Sequence, residues 1–227
     1  MSNFIKNSEA CAKTKENKML IEDRKPKGDV KDSSYMRVCG NEQIADLMRK
    51  FHSTSIANGL ELERLIFKFS KHPNTLRGQK LSDFDLSQKD AFVVQMKIDL
   101  ATSKNIALDC FLATPNEIYV FEVKDGMNFC TKGSEGEISS LKKTVSFLRG
   151  RDPLSRPVIP KIVFWNCEDL SSASFKCKEG TPMLMLGREF ARLVGIDKIK
   201  IDELRLLDQE ANEKFFKADA KKILEGV

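Results

Sequence analysis

The feature that most limits how this chain can fold is the stretch N-I-A-L-D-C-F-L-A-T-P-N-E-I-Y-V-F-E-V-K-D-G, Asn105 to Gly126. Two apolar runs rich in β-branched and aromatic residues flank Thr114-Pro115-Asn116-Glu117, the composition of a tight turn between two strands. With Pro115 and Asn116 leading the turn, Asp109 stands directly opposite Glu122. Side chains alternate with period two along a strand, so Ala107, Asp109 and Phe111 share a face with Val120, Glu122 and Lys124. The other face carries Leu108, Cys110, Leu112, Tyr119, Phe121 and Val123, an unbroken set that suits a core.

Two carboxylates in facing positions repel and destabilise a sheet. Apolar neighbours add a desolvation penalty for the charged forms. A divalent cation between them reverses both penalties. Mg²⁺ takes hard oxygen ligands, usually one or two carboxylates, water and a substrate phosphate. Lys124, two residues along the same face, sets an ammonium within reach of that phosphate or of a water on the metal.

Asp109, twelve intervening residues and then Glu122-Val123-Lys124 resemble the D-x(n)-E-x-K signature of the PD-(D/E)xK nuclease superfamily, the restriction-endonuclease-like fold. The Asp and the Glu fall on paired strands in matched register; Leu108 stands where the superfamily often has Pro. The resemblance implies an α/β fold with an αβββαβ core over about residues 41–200, a mixed central sheet flanked by helices, and helical additions at both ends. It implies a metal-dependent endonuclease acting on DNA, restriction-type or structure-specific, with Mg²⁺ or Mn²⁺ held by Asp109, Glu122 and the backbone carbonyl of Val123. In such proteins the helix before the sheet often adds one acidic residue, and G-L-E-L-E-R-L-I-F-K-F, residues 59–69, resembles that helix. Spacing does not separate Glu61 from Glu63; Glu63 is the choice as fourth catalytic and metal-binding residue beside Asp109, Glu122 and Lys124. Lys124 then orients the attacking water or neutralises charge building on the phosphate.

The remaining pattern is compatible with that order. At 227 residues and 41% hydrophobic content, one domain with appendages is expected. The first 34 residues are rich in Lys, Asn, Ser, Asp and Glu, giving a polar, partly disordered arm over 1–40. Residues 41–227 form a single domain, with a core over about 55–196 and a C-terminal helix over about 202–225. A helix begins at Asn41 with Ile44, Leu47, Met48 and Phe51 as its buried stripe, and a second runs from Ser55 to Lys71 on Leu62, Leu65, Ile66 and Phe69. Residues 73–90 form a polar connection. Residues 91–100 alternate as a half-buried strand, with Phe92, Val94, Met96, Ile98 and Leu100 on one face. A turn at 101–104 leads into the hairpin, giving three consecutive antiparallel strands. A loop over 127–136 crosses the mouth of the site. A helix at 137–148 buries Ile138, Leu141, Val145 and Leu148. Superfamily members often carry a polar residue on this helix, which Ser139, Ser140 or Lys143 would have to supply. Strands at 161–166 and 181–186 and helices at 187–194 and 202–224 close the chain, the strand after the crossover helix being parallel to the one before it.

Net charge is +5, with 38 basic and 33 acidic residues, which permits a nucleic-acid partner without demanding one. The most basic window holds Lys142, Lys143, Arg149, Arg151, Arg156 and Lys161 against Asp152. Lys142, Lys143, Arg149 and Arg151, joined by Arg77 from the polar connection, are the candidate contacts to phosphates. Tyr35 and Tyr119 are the sole tyrosines and Trp165 the sole tryptophan; such a poor stock of stacking groups favours backbone contact and duplex DNA. Two other readings stay open: an RNA endonuclease of the same superfamily, and a non-catalytic nucleic-acid-binding or assembly protein whose acidic cluster is structural. Two-fold DNA sites are commonly met by homodimers. The sequence has neither G-x-S-x-G nor a P-loop. Six cysteines without zinc spacing, no apolar leader and no long apolar run predict a reduced, cytoplasmic protein without a membrane span, the nucleus being compatible in a eukaryotic or viral setting.

Overall fold

A computed structural model of the chain describes residues 20–22, 24–87, 90–99, 106–126, 131–172 and 183–225. The chain divides into two compact units, Gly59–Glu203 on one hand and Met1–Asn58 with Leu204–Val227 on the other.

The larger unit is built on six strands: β1 (Thr75–Arg77), β2 (Ala91–Ile98), β3 (Ile106–Ala113), β4 (Ile118–Lys124), β5 (Val158–Phe164) and β6 (Leu184–Leu186). They lie in the order β1-β2-β3-β4-β5-β6. The pairs β2–β3 and β3–β4 are antiparallel, as the sequence predicts, and β1–β2, β4–β5 and β5–β6 are parallel. Helix α3 (Thr131–Arg149) connects β4 to β5, the crossover that parallel neighbours require. The result is a mixed α/β architecture in which helices pack on both faces of one sheet.

On one face Ile138, Leu141, Val145 and Leu148 of α3 are buried against Phe111, Ala113, Ile118, Val120, Ile162 and Phe164. Each such side chain contributes roughly 1.5–3 kcal/mol when withdrawn from water. On the other face Phe190, from helix α4 (Gly187–Val194), meets Phe92, Phe121 and Trp165 edge-on, with ring centroids 6.4, 4.8 and 6.5 Å away. Gly187 is obligatory there, because a Cβ would lie 2.3 Å from the Trp165 carbonyl oxygen.

The hairpin follows the predicted turn. Thr114 donates its N–H to the Glu117 carbonyl at 2.8 Å, and its hydroxyl accepts from the Glu117 N–H at 2.9 Å. Ala113–Ile118, Leu112–Tyr119, Phe111–Val120 and Cys110–Phe121 pair in the predicted register.

Several expectations need correction. Residues 91–94 are buried on both faces of the sheet, so β2 is not half-buried at its start. The alternation also breaks at Gln95. Ala91 and Val93 reach the α3-side core, then Met96 and Ile98 do; on β3, Phe111 and Ala113 reach it, then Leu108. The switch falls where the β2–β3 ladder skips Gln95 and Asp109, and Gln95 has a φ of +61°. This crease re-aims the side chains that follow Gln95 on β2 and those that precede Asp109 on β3. β1 lies inside the supposed polar connection; three residues are too few for a periodic signal. Residues 131–136 are the first turns of α3 rather than loop, while 127–130 lie outside the described residues, as do the 101–104 turn and residues 181–182 of the last expected strand. Pro160 sits within β5 instead of bounding it, opposite Val120. Among the described residues β6 pairs with β5 from Ile162 onward.

Helix α2 runs unbroken from Glu42 to Lys68, where two helices are expected. The Ser53-Thr54-Ser55 run is absorbed, because the Thr54 hydroxyl donates to the Lys50 carbonyl at 2.9 Å within the helix. In the smaller unit, Ala45 and Leu47 are buried while Ile44, Met48 and Phe51 are exposed, which shifts the buried stripe from the expected one. Helix α1 (Ser34–Cys39), within the supposed arm, is capped by the Ser33 side chain and ended by left-handed Gly40. Ile21 is buried and donates its N–H to Asn212 Oδ1 at 2.7 Å, on helix α5 (Lys198–Glu225). Phe51 meets Phe216 edge-on at 5.9 Å. Among the described residues no helix is long and apolar enough to cross a membrane.

Candidate active site

The ladder between β3 and β4 stops at Cys110–Phe121. One step further the same register sets Asp109 opposite Glu122, and there the strands part. The Val123 N–H donates to Asp109 Oδ2 at 2.7 Å in place of a backbone carbonyl. In an extended strand the N–H and C=O of one residue point to the same side, so the Val123 carbonyl is also directed toward Asp109.

Burial and then the Glu122 charge push the Asp109 carboxyl up from 3.8 to about 8, against the Val123 hydrogen bond that favours the anion; Glu63 adds a further upward push. Lys124 Nζ donates to Glu122 Oε1 at 2.7 Å and to Glu137 Oε1 at 2.8 Å. Burial alone would lower its pKa, but Glu122 and Glu137 outweigh it and the net direction is upward. Glu137, on α3, is raised by burial, offset in part by its bond to Lys124.

Glu63 approaches from the second half of α2. Gln95 Nε2 donates to its Oε2 at 2.7 Å. Burial raises its pKa, the Gln95 bond opposes that, and Glu122 adds to it. Glu61 turns elsewhere: it is buried and takes Arg64 Nε at 2.7 Å and Nη2 at 2.5 Å. Of the two helix glutamates, only Glu63 therefore shares the electrostatics of Asp109 and Glu122. The charge tally is lopsided, with Glu63, Asp109, Glu122 and Glu137 gathered around a single ammonium.

Among the described residues, no group of three or more His, Cys, Asp or Glu side chains is disposed to hold a metal ion; Glu122 faces Lys124 and Glu63 faces Gln95. The donor chemistry nonetheless fits a hard cation. All candidate ligands are oxygens, and Mg²⁺ is usually held by one or two carboxylates, with substrate phosphate and water completing the shell.

The basic candidates separate. Arg77 Nε donates to Gln95 Oε1 at 3.0 Å, beside the cluster. Lys142, Lys143, Arg149 and Arg151 are exposed on and after α3, with the Arg151 guanidinium 4.2 Å from the Phe147 ring centroid. Arg156, part of the same basic window, is buried against Asp152 and takes no part in a basic surface. The sequence reading missed Gln95 and Glu137. Glu137 stands four residues before Leu141 on the buried stripe of α3, a legible signal. Gln95 is the polar residue that the β2–β3 register sets across from Asp109.

The chain is 29% identical over 206 residues to the type II restriction enzyme HhaII of Haemophilus parahaemolyticus, a match covering 86% of this chain and 90% of the relative. No protein-family profile matches the chain, and no solved structure matches it.

Proposed function

We propose that the chain is a metal-dependent DNA endonuclease of the restriction type, built on a restriction-endonuclease-like core formed by α2, β2, β3, β4, α3 and β5. The observation that carries this reading is the electrostatic coupling of Asp109 to Glu122, Glu63 and Lys124 near the parted end of the hairpin. The similarity to a type II restriction enzyme over nearly the whole chain supports it independently and favours duplex DNA as substrate.

Asp109, Glu122 and the Val123 carbonyl, with Glu63 beside them, would hold Mg²⁺ or Mn²⁺. Such an ion supplies Lewis acidity toward a phosphate oxygen and acidifies a water molecule. The residues of the chain do the rest. Lys124 stays protonated at neutral pH because Glu122 and Glu137 surround it, so its role is that of a cation that orients water or neutralises phosphate charge, rather than that of a base. Burial and the Glu122 charge favour the protonated form of Asp109 in the free protein, so binding of a cation there would release a proton. Arg77 near the cluster, and Lys142, Lys143, Arg149 and Arg151 on and just after α3, offer contacts to the DNA backbone that position it without reading sequence. A palindromic DNA site would be met by two copies of the chain.

The test is cleavage of labelled duplex DNA, branched DNA and RNA with Mg²⁺, Mn²⁺ or EDTA. Cutting of duplex DNA with either metal and none in EDTA is expected. Cutting of RNA alone would make it a ribonuclease, and binding without cutting under every condition would make the cluster structural.

A further inference from the structure

We infer that Gln95 is a positioning residue for the Glu63 carboxylate, an inference that rests on the endonuclease reading above. Gln95 sits in mid-strand with a φ of +61°, a conformation that a residue with a side chain adopts only when its surroundings demand it. The demand is visible. At the crease where the β2–β3 ladder skips Gln95 and Asp109, the turned backbone delivers the Gln95 amide between two charged groups. Its NH₂ donates to Glu63 Oε2 at 2.7 Å, and its carbonyl accepts from Arg77 Nε at 3.0 Å.

An amide suits that place for a chemical reason. Glu63 belongs to an acid and Arg77 to a base, and a direct pair between them would neutralise the carboxylate. A primary amide donates at one end and accepts at the other, so it satisfies both charges and keeps them apart. A lysine in its place would repel Arg77 and compete with a cation, and a glutamate would repel Glu63. Gln95 engages Glu63 through Oε2 alone, so the carboxylate it holds would remain able to take a cation. It touches neither substrate nor metal and acts through Glu63.

The decisive comparison uses the full chain as wild type, Gln95→Gly, Glu63→Gln and the double variant. Mn²⁺ affinity is read by calorimetry, kcat and KM on duplex DNA, and the melting temperature. Glycine takes the positive φ without strain, so Gln95→Gly should melt no lower than wild type. Its Mn²⁺ affinity and kcat should each fall about 10–100-fold, the range for losing a group that orients a ligand, with KM nearly unchanged. In the Glu63→Gln background the same substitution should add less than about a twofold loss, because its target is already gone. Should Gln95→Gly fail to fold, Gln95→Asn is read the same way; it tolerates the left-handed backbone and is one methylene too short to bridge both partners. Wild-type Mn²⁺ affinity and cleavage in Gln95→Gly, or its full loss repeated on Glu63→Gln, would overturn the inference. A wild-type protein that cuts no nucleic acid would overturn the endonuclease reading instead, and the calorimetric affinities would still decide whether Gln95 acts through Glu63.

Discussion

The Asp152–Arg156 pair is buried and the Asp109 cluster half-buried, and the two are built on opposite terms. At Asp152–Arg156 every charge is matched. Arg156 donates its N–H to Asp152 Oδ2 at 2.6 Å, its Nε to the same oxygen at 3.1 Å and its Nη2 to Oδ1 at 2.8 Å. Its remaining donors reach the Thr114 carbonyl at 2.8 Å and the Leu86 carbonyl, which ties the hairpin turn and the β1–β2 connection to the start of β5. The Arg156 hydrogen bonds hold the Asp152 carboxyl below its usual range. At Asp109 the reverse holds: burial and neighbouring carboxylates drive its pKa up to about 8, and one lysine faces several acids. The first cluster is closed, and its geometry serves the fold. The second sets Glu63, Asp109, Glu122 and Glu137 beside Lys124 and Arg77, perturbed carboxylates of the kind that gather at functional sites.

That contrast can be broken from either side. The largest effect belongs to Asp109→Asn. Cleavage of duplex DNA should fall by roughly 10³-fold or more, about 4 kcal/mol of barrier, while the metal-free protein at pH 7 melts no lower than wild type. An Asp109→Asn protein that cuts as fast as wild type in Mg²⁺ would refute the site. Arg156→Ala should do the opposite. Removing one partner of a buried pair costs about 3–5 kcal/mol, seen as a large drop in the denaturation midpoint, with kcat little changed in the fraction that stays folded.

The two clusters should also pull stability in opposite directions with pH. Asp109 has a folded pKa raised from 3.8 to about 8, so its stabilising contribution is complete below about pH 4 and is lost as pH rises toward 8. Asp152 has a folded pKa below 3.8, so its contribution is complete above that value and is lost in stronger acid. Melting curves of the metal-free protein should therefore decline between pH 4 and 8, a decline that Asp109→Asn flattens. Adding Mg²⁺ at pH 7 should restore stability and release about one proton, read from the buffer dependence of the binding enthalpy. Absence of proton release would separate Asp109 from the metal.

The smallest effect concerns the α3 surface. Lys143→Ala and Arg149→Ala should weaken duplex binding equally for all sequences. Each lost phosphate contact should reduce the slope of log affinity against log salt by about one. An unchanged slope would remove α3 from the DNA interface.

What could be read along the chain was set by local rules. The Thr114–Glu117 turn fixes the β3–β4 register as far as Cys110–Phe121, because a hairpin's register follows from its loop. The α3 stripe and the parallel crossover follow for similar reasons. Beyond Cys110–Phe121 the crease puts Leu108 on the face of Phe111, not with Cys110 and Leu112 as the two-residue period predicts. Charge density along the chain was a poorer guide. Arg156 counted toward a basic surface in the sequence, yet it lies inside, because a linear window does not tell which way a side chain points. The expected break between two helices failed because Thr54 satisfies its hydroxyl within the helix and so leaves α2 continuous.

The hairpin turn and its register as far as Cys110–Phe121 were thus determined by the sequence alone, since they depend only on residues within one turn and two strands of one another. Packing of α2 against the sheet decided that Glu63, rather than Glu61, joins Asp109. The crease at Gln95 and the descent of Glu137 onto Lys124 were likewise decided by tertiary structure. These depend on helix rotation and on strand distortion between segments distant in sequence, and no local periodicity carries that information.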